Sequence, residues 1–407
     1  MPKPQLGLGG AIAIGLASML GAGVFVVFGS AYKISANLIF IAVAIAALVA
    51  MLNSAAIYQL ARQVDRPGGV YVYARVYLNK SWSFLSGFAF VFGKIASIAA
   101  IALVVQKYVF PNQSYWPEAL AISLLTLVNI LGINRTALVA TILSATTITF
   151  FAVLCLQALI NPGSNFDEAM SLPPSSPISS VLVGAGVVFF AFAGYARVAT
   201  LGDEVRDSKR NIPKAIVISL GFVFALYLLL AFVLLANLGQ SLESTQTPVA
   251  TLTLYLLGNS WLAAVVAAIA GLGSMLALLA GVSRTAASMA EDLELPKIFK
   301  VRNRFNSPWV AEVIIAAGAI ALTFIGEVVW VIGFSSFSVL FYYSVGHLSA
   351  FAQPKSVRLV PRWLNVLGIT LCLTLAISFG IETFAISTGI LGLAFASRWL
   401  WLKQTSR

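Results

Sequence analysis

The sequence is short of most of what a water-soluble protein is built from. Charged residues fill 10% of its 407 positions, against about 25% in soluble domains, so a water-facing surface of ordinary polarity is excluded. There is one histidine, and the two cysteines, Cys155 and Cys372, both sit inside apolar runs. That excludes a disulfide framework and a cysteine–histidine metal centre; no metal and no cofactor is expected. Only 14 residues are acidic, and almost none interrupts an apolar run. A membrane-embedded enzyme would need convergent acid, base or metal-ligating groups, and this composition does not supply them. A cleavable signal peptide is not expected either, because the first apolar run continues far beyond the roughly 7–15 residues of a signal core.

What remains is apolar. The hydrophobic set makes up 60% of the chain and glycine adds 31 residues, so the bilayer is the solvent. A spanning helix takes about 20 apolar residues, and the runs predict twelve: Leu6–Tyr32, Ile34–Leu60, Trp82–Tyr108, Tyr115–Ile133, Thr136–Ile160, Ile178–Gly202, Ile212–Leu238, Ser260–Val282, Trp309–Gly326, Val328–Phe351, Trp363–Gly380 and Ile381–Leu402. The last two are divided at Gly380 on length alone. Connections this short leave little room for a soluble domain, so residues 1–407 read as one all-α integral membrane domain.

The net charge of +11 invites a nucleic-acid reading, but its placement argues otherwise. With twelve spans and a cytoplasmic N-terminus, 21 of the 25 Lys and Arg residues fall in cytoplasmic connections and only Lys33 and Lys107 fall outside. Basic residues concentrate on the cytoplasmic side of membrane proteins. The excess is therefore a topology signal, placing both termini in the cytoplasm of a cell with the protein in its bounding membrane, and no nucleic-acid partner is expected. Lys94 and Arg197 are left over, inside spans.

Two glycine interruptions divide the first ten spans into five and five: Gly21-Ala22-Gly23 in the first span and Phe192-Ala193-Gly194 in the sixth. An odd number of spans per unit inserts the second copy upside down, giving an inverted repeat over residues 6–160 and 178–352, with 363–402 as two further helices. Paired interruptions in such repeats point to a binding site at the membrane midplane. The other reading of each is close helix packing.

Four segments carry a resemblance. They are GLASMLGAGVF in the first span, PGGVYVYAR at Pro67–Arg75, FFAFAGYARVATLGDEVRDSKRNIPKAI at Phe189–Ile216, and GVSRTAASMAEDLELPKIF at Gly281–Phe299. In order and spacing they resemble the amino acid–polyamine–organocation superfamily of secondary transporters, over residues 6 to about 400. The resemblance implies the LeuT-type fold: two inverted five-helix repeats with helices 1 and 6 broken, then two peripheral helices. It also implies a small-molecule substrate, an amino acid, carried by alternating access.

An amino acid brings a carboxylate and an ammonium, and burying either unpaired costs several kcal/mol. At a break, the N–H groups of Ala22 and Gly23 face a carboxylate, and glycine at 21, 23 and 194 allows close approach. By resemblance, the carbonyls of Met19, Phe190 and Ala193 accept from the ammonium. Phe25, Phe190 and Phe192 flank the breaks as gates or as core, Phe190 being where the family commonly has its gate.

Lys94 lies near the middle of its span, where an ionisable group is a functional suspect. It is a candidate for carrying a coupled proton or fixing substrate charge; the alternative is a lysine satisfied by backbone carbonyls. Arg197 either favours an anionic substrate or pairs with Asp203 or Glu204. Span five offers Thr147 where proton-coupled relatives carry lysine, and Leu276-Ala277 stand where sodium-coupled carriers have hydroxyls. Arg75, Asp203, Glu204, Arg206, Arg284 and Asp292 form either a cytoplasmic latch or a solvated charged surface. The expected function is a permease for neutral or hydrophobic amino acids, proton-coupled or exchanging. Export, antiport or amine and polyamine carriage is the alternative. A channel would want rings of charge or carbonyl filters.

Overall fold

The computed structural model describes residues 6–64, 68–112, 116–131, 137–161, 163, 177–195, 198 and 205–405. Among them the chain is helical, without strands, apart from one isolated parallel bridge between Leu6 and Val205. The helices are α1 (Leu8–Met19), α2 (Val27–Ser35), α3 (Ile39–Ala61), α4 (Val70–Tyr77), α5 (Lys80–Val109), α6 (Trp116–Ile130), α7 (Ala137–Ile160) and α8 (Ile178–Phe192). They continue with α9 (Ser208–Leu238), α10 (Ser241–Ser244), α11 (Pro248–Leu257), α12 (Trp261–Glu291), α13 (Trp309–Ile325), α14 (Val328–Ala352), α15 (Arg362–Ser378) and α16 (Ile381–Thr405).

Seven stretches are long and apolar enough to cross a bilayer: Val27–Ala61, Lys80–Val109, Ile142–Ile160, Ser208–Leu238, Trp261–Glu291, Val328–Ala352 and Ile381–Leu400. Besides the interrupted first span, whose α1 has 12 residues, four of the expected spans are shorter as helices. Trp116–Ile130, Ile178–Phe192, Trp309–Ile325 and Arg362–Ser378 have 15 to 17 residues, under the ~20 that a bilayer core takes. Length alone therefore supports a multi-pass membrane protein without fixing twelve crossings.

Several boundaries differ from the sequence reading for local reasons. The first turn falls not at Lys33 but at Ala36, whose φ of 49° ends α2. The segment read as a loop at Pro67–Arg75 contains α4, launched by Gly68 and Gly69 at φ 133° and 61°; a side chain at either position would be strained. The connection Asn237–Asn259 contains α10 and α11. α12 runs on from Val282 to Glu291, because its last three turns carry an apolar face of Val282, Ala286, Met289 and Ala290, all buried. The length-based division at Gly380 coincides with a real break, where φ is 94° between α15 and α16.

α5 begins with an Asn79 cap, whose side chain accepts from the N–H groups of Ser81 and Trp82 at 3.0 Å each. That satisfies two of the donors a helix start leaves open. α5 and α14 form the middle of the bundle and are mostly buried, whereas α16 is mostly exposed and lies at the periphery.

Candidate functional site

The first span is interrupted where the sequence places glycines. α1 stops at Met19, Leu20 closes it by donating to the Leu16 carbonyl at 2.8 Å, and Gly21 is extended at φ −81°, ψ −161°. A 3-10 turn over Ala22–Phe25 follows before α2 starts at Val27. N–H groups that open such a turn have no acceptor within it, and Ala22 and Gly23 hold that position. In the sixth span α8 stops at Phe192. Tighter bonds then replace the helical ladder, from Ala193 to the Phe190 carbonyl and from Tyr195 to the Phe192 carbonyl, both at 3.3 Å.

The two interruptions touch. A Cβ at Gly194 would collide with the Ser18 carbonyl and lie 2.8 Å from the Met19 nitrogen. One at Gly23 would lie 2.9 Å from Ala191 Cα and 3.2 Å from the Phe190 ring. α12 closes on the same place: Gly271 faces Ala22, and the Ser274 hydroxyl occupies the space a side chain at Gly21 would need. Close backbone approach is what these glycines permit.

The carbonyls are arranged differently from the sequence expectation. Tyr227, on α9, is fully buried, and its hydroxyl sits 2.9 Å from the Met19 carbonyl and 3.2 Å from the Ala191 carbonyl. One phenol thus serves both interruptions. The Phe190 carbonyl accepts from Ala193. Of the three expected acceptors, Met19 and Phe190 therefore already have donors. Its one O–H proton is shared between the two carbonyls, so removing the hydroxyl takes away one buried donor, at about 1–3 kcal/mol. Tyr227→Phe is expected to lower uptake about tenfold, since ~1.4 kcal/mol in a barrier is a factor of ten, with the backbone fold retained by circular dichroism.

The aromatic candidates separate. Phe25 is fully buried among Tyr108, Phe150 and Phe151, at centroid distances of 5.6, 6.4 and 5.2 Å. Phe192 is fully buried against Tyr227 at 4.8 Å. Both are core. Only Phe190 is half-buried, beside Gly23.

Lys94 is 7% exposed on α5. The neighbouring Gly93 packs onto Ser338 of α14, and Ser97 shares a hydrogen bond with Ser335 at 2.7 Å. Among the described residues no acid pairs with Lys94. Arg197, Asp203 and Glu204 lie outside the described residues. Thr147 is buried and donates to the Leu143 carbonyl of its own helix. Ala277 is exposed, away from the interruption, so the α12 hydroxyl nearest it is Ser274 rather than anything at 276–277.

Residues 6–401 match the amino acid permease family. The chain belongs to that family. It is 38% identical over 405 residues to an uncharacterized transporter of Mycobacterium tuberculosis, covering 97% of this chain and 90% of the relative. A serine/threonine exchanger of Bacillus subtilis is 24% identical over 88% of this chain and 84% of its own length. A chloroplastic cationic amino acid transporter of Arabidopsis thaliana is 24% identical over 86% of this chain and 66% of its own. The chain is thus an amino acid transporter of the multi-pass permease type.

At the α4 end of the permease the charged candidates divide. Arg75 donates to Glu294 at 3.2 Å and lies 3.8 Å from Asp292. Tyr71 donates to Asp292 at 2.8 Å; burial and that carboxylate raise the phenol above its ordinary pKa, so it stays a donor. Glu294 also accepts from Arg398 of α16 at 2.5 and 3.1 Å. Arg284 does not join them: it is exposed on α12, on the side of Glu312. Arg206 sits at the other strap, its N–H donating to the Leu6 carbonyl at 2.8 Å.

Sequence reasoning missed Tyr71, Glu294 and Arg398 as one group. No sequence signal marks it: Leu293 follows α12 at φ 61°, a conformation that a leucine does not announce, and Glu294 after it is buried. Glu294→Gln removes one charge facing two arginines. It is expected to cost about 2 kcal/mol, the scale of hydrogen bonds to charged groups, read as a lower thermal midpoint in detergent.

One buried network lies outside these candidates. His347 bridges Asn53 at 2.9 Å and Asn365 at 3.1 Å, and Asn53 donates to the Tyr195 hydroxyl at 2.9 Å. The lone histidine is a packed, hydrogen-bonded residue, and it ties α3, α14 and α15 to the segment after α8.

Proposed function

We propose that this permease is a secondary active transporter that carries an amino acid by alternating access around the paired interruptions of the first and sixth spans. The observation that supports this is the direct contact of the two interruptions, Gly194 on Ser18–Met19 and Gly23 on Ala191. Such half-helix ends offer backbone donors and acceptors at membrane depth, where side-chain charges are costly. The substrate carboxylate goes to the N–H groups of Ala22 and Gly23, with Gly21 allowing approach. The ammonium goes to the Ala193 carbonyl and the second lone pairs at Met19 and Phe190, and Phe190 covers it.

The same reading takes the fold as twelve helices of LeuT type, with repeats over 6–160 and 178–352, helices 11 and 12 over 363–402, and both termini cytoplasmic in the cell membrane. The shorter helices then cross with help from the residues at their ends. Arg75, Asp292, Glu294, Tyr71 and Arg398 close the cytoplasmic mouth.

The substrate is a neutral, apolar amino acid. The buried acids among the described residues, Glu118, Glu294 and Glu312, all sit at helix ends, so among the described residues no counter-charge for a cationic substrate or polyamine faces the interruptions. Lys94 carries the coupled proton; sodium symport is disfavoured because a single hydroxyl, Ser274, faces the first interruption from α12. Similarity to the serine/threonine exchanger of Bacillus subtilis favours exchange as the second reading. Counterflow of a labelled amino acid panel in proteoliposomes, with and without proton and sodium gradients, tests the whole. Accumulation of neutral amino acids that needs no sodium is expected; absence of counterflow for every amino acid would overturn the reading, and sodium dependence would overturn the coupling.

A further inference from the structure

The connection between α12 and α13 is basic. Between Glu294 and Glu312 it carries Lys297, Lys300, Arg302 and Arg304 and no acid. It also exposes apolar side chains beside those charges: Ile298 is 52% exposed, Val301 44%, Phe305 45% and Trp309 41%. A soluble surface does not interleave bulky apolar side chains with bases in this way without a partner.

The segment is held in shape from below. Phe299 packs against the core, and Lys297–Lys300 form a 3-10 turn. The Asn303 side chain donates to the Ile130 carbonyl at the end of α6 at 2.6 Å and accepts from the N–H groups of Phe305 and Ser307 at 3.0 and 3.1 Å. With its backbone pinned, Lys297, Ile298, Lys300, Val301, Arg304 and Phe305 all face outward. Both flanking helices are apolar, and α13 starts at Trp309, a residue type that settles at the membrane–water boundary.

We propose that this segment is a binding surface for anionic phospholipid headgroups, its bases meeting phosphates while Ile298, Val301 and Phe305 enter the headgroup–acyl boundary. A basic, apolar strap at a membrane edge has the character of interfacial segments. Charge complementarity and continuity with two apolar helices favour lipid over a soluble protein partner. The surface also abuts the charge cluster at the end of α12: Arg302 pairs with Glu291 at 3.3 Å, and Lys297 follows Glu294 by three residues. Bound lipid therefore anchors the end of α12 on which Asp292 and Glu294 depend. The inference needs the protein to sit in a membrane but not the proposed substrate or coupling.

The test uses the full-length protein in nanodiscs of phosphatidylcholine with a minor fraction of phosphatidylglycerol. Retention of phosphatidylglycerol by wild type and by the Lys297→Gln/Lys300→Gln/Arg304→Gln variant is measured by native mass spectrometry. Each base near a membrane surface contributes about fivefold in affinity, so the triple variant is expected to lose preference for phosphatidylglycerol by about a hundredfold. Wild type should lose that preference in about 1 M salt, where the screening length falls to ~3 Å. The thermal midpoint in pure phosphatidylcholine nanodiscs should be the same for both proteins, which shows that the variant folds. Equal retention by the two proteins overturns the proposal. So does full labelling of Phe305→Cys by a membrane-impermeant maleimide in phosphatidylglycerol nanodiscs, because the side chain would then lie in water or await a soluble partner.

Discussion

Gly194→Ala is expected to lower transport by about five- to a hundredfold. The added methyl would have to occupy the Ser18 carbonyl group and lie 2.8 Å from the Met19 nitrogen. All of these are backbone atoms of α1, so no side chain can rotate away to make room. Overpacking of this kind typically costs about 1–3 kcal/mol where neighbours can shift, and here the only shift available separates the two interruptions. If that cost falls on the transport barrier, it lowers the rate by about five- to a hundredfold at ~1.4 kcal/mol per factor of ten. Counterflow of the best substrate measures it. Gly281→Ala is the control, since a Cβ at Gly281 meets nothing within 4 Å and should leave counterflow unchanged. If both variants transport like wild type, the contact between the interruptions does not serve transport.

Lys94→Met is expected to remove the pH dependence of uptake. A buried ammonium without an acidic partner is costly, so its retention in the centre of the bundle calls for a task. Methionine keeps the length and apolar stem but cannot carry a proton. If Lys94 serves coupling, the variant loses proton-driven accumulation yet retains passive exchange, and its thermal midpoint is equal to or above that of wild type because an uncompensated polar group has gone. If Lys94 instead holds the bundle together, the midpoint falls and the pH profile of the remaining transport is unaltered. Uptake against a pH step and thermal unfolding in the same detergent distinguish the two.

The sequence made some parts of this site visible and hid others for definite reasons. Gly21, Gly23 and Gly194 were visible because a helix at membrane depth has few other ways to stop, and the chain does stop at each. Lys94 stood out because charge is rare in an apolar run. Tyr227 did not, since a tyrosine within α9 looks like any other aromatic; only the fold carries its hydroxyl to two carbonyls 208 and 36 residues away in sequence. The gate aromatics could not be sorted by sequence either. Phe25 and Phe192 are core while Phe190 is half-buried, and the difference is a matter of which helix lies opposite.

The charged end shows the same division. Arg75 and Asp292 belong to recognisable segments, and the structure brings them within 3.8 Å. Glu294 and Arg398 come together across 104 residues because Leu293 adopts a left-handed turn that a Leu does not advertise. Arg284 was a reasonable member by spacing, yet it lies on the side of α12 toward Glu312.

By itself, then, the sequence determined that the chain lives in a membrane, that it belongs with the permeases and that helices are interrupted at glycines. Those properties follow from composition, local backbone preference and short motifs, each confined to a few neighbouring residues. Tertiary structure alone decided which carbonyls are already occupied, which phenylalanine stays accessible and which arginines share Glu294. These depend on helices distant in sequence meeting side by side, and no local pattern encodes the rotation of one helix against another.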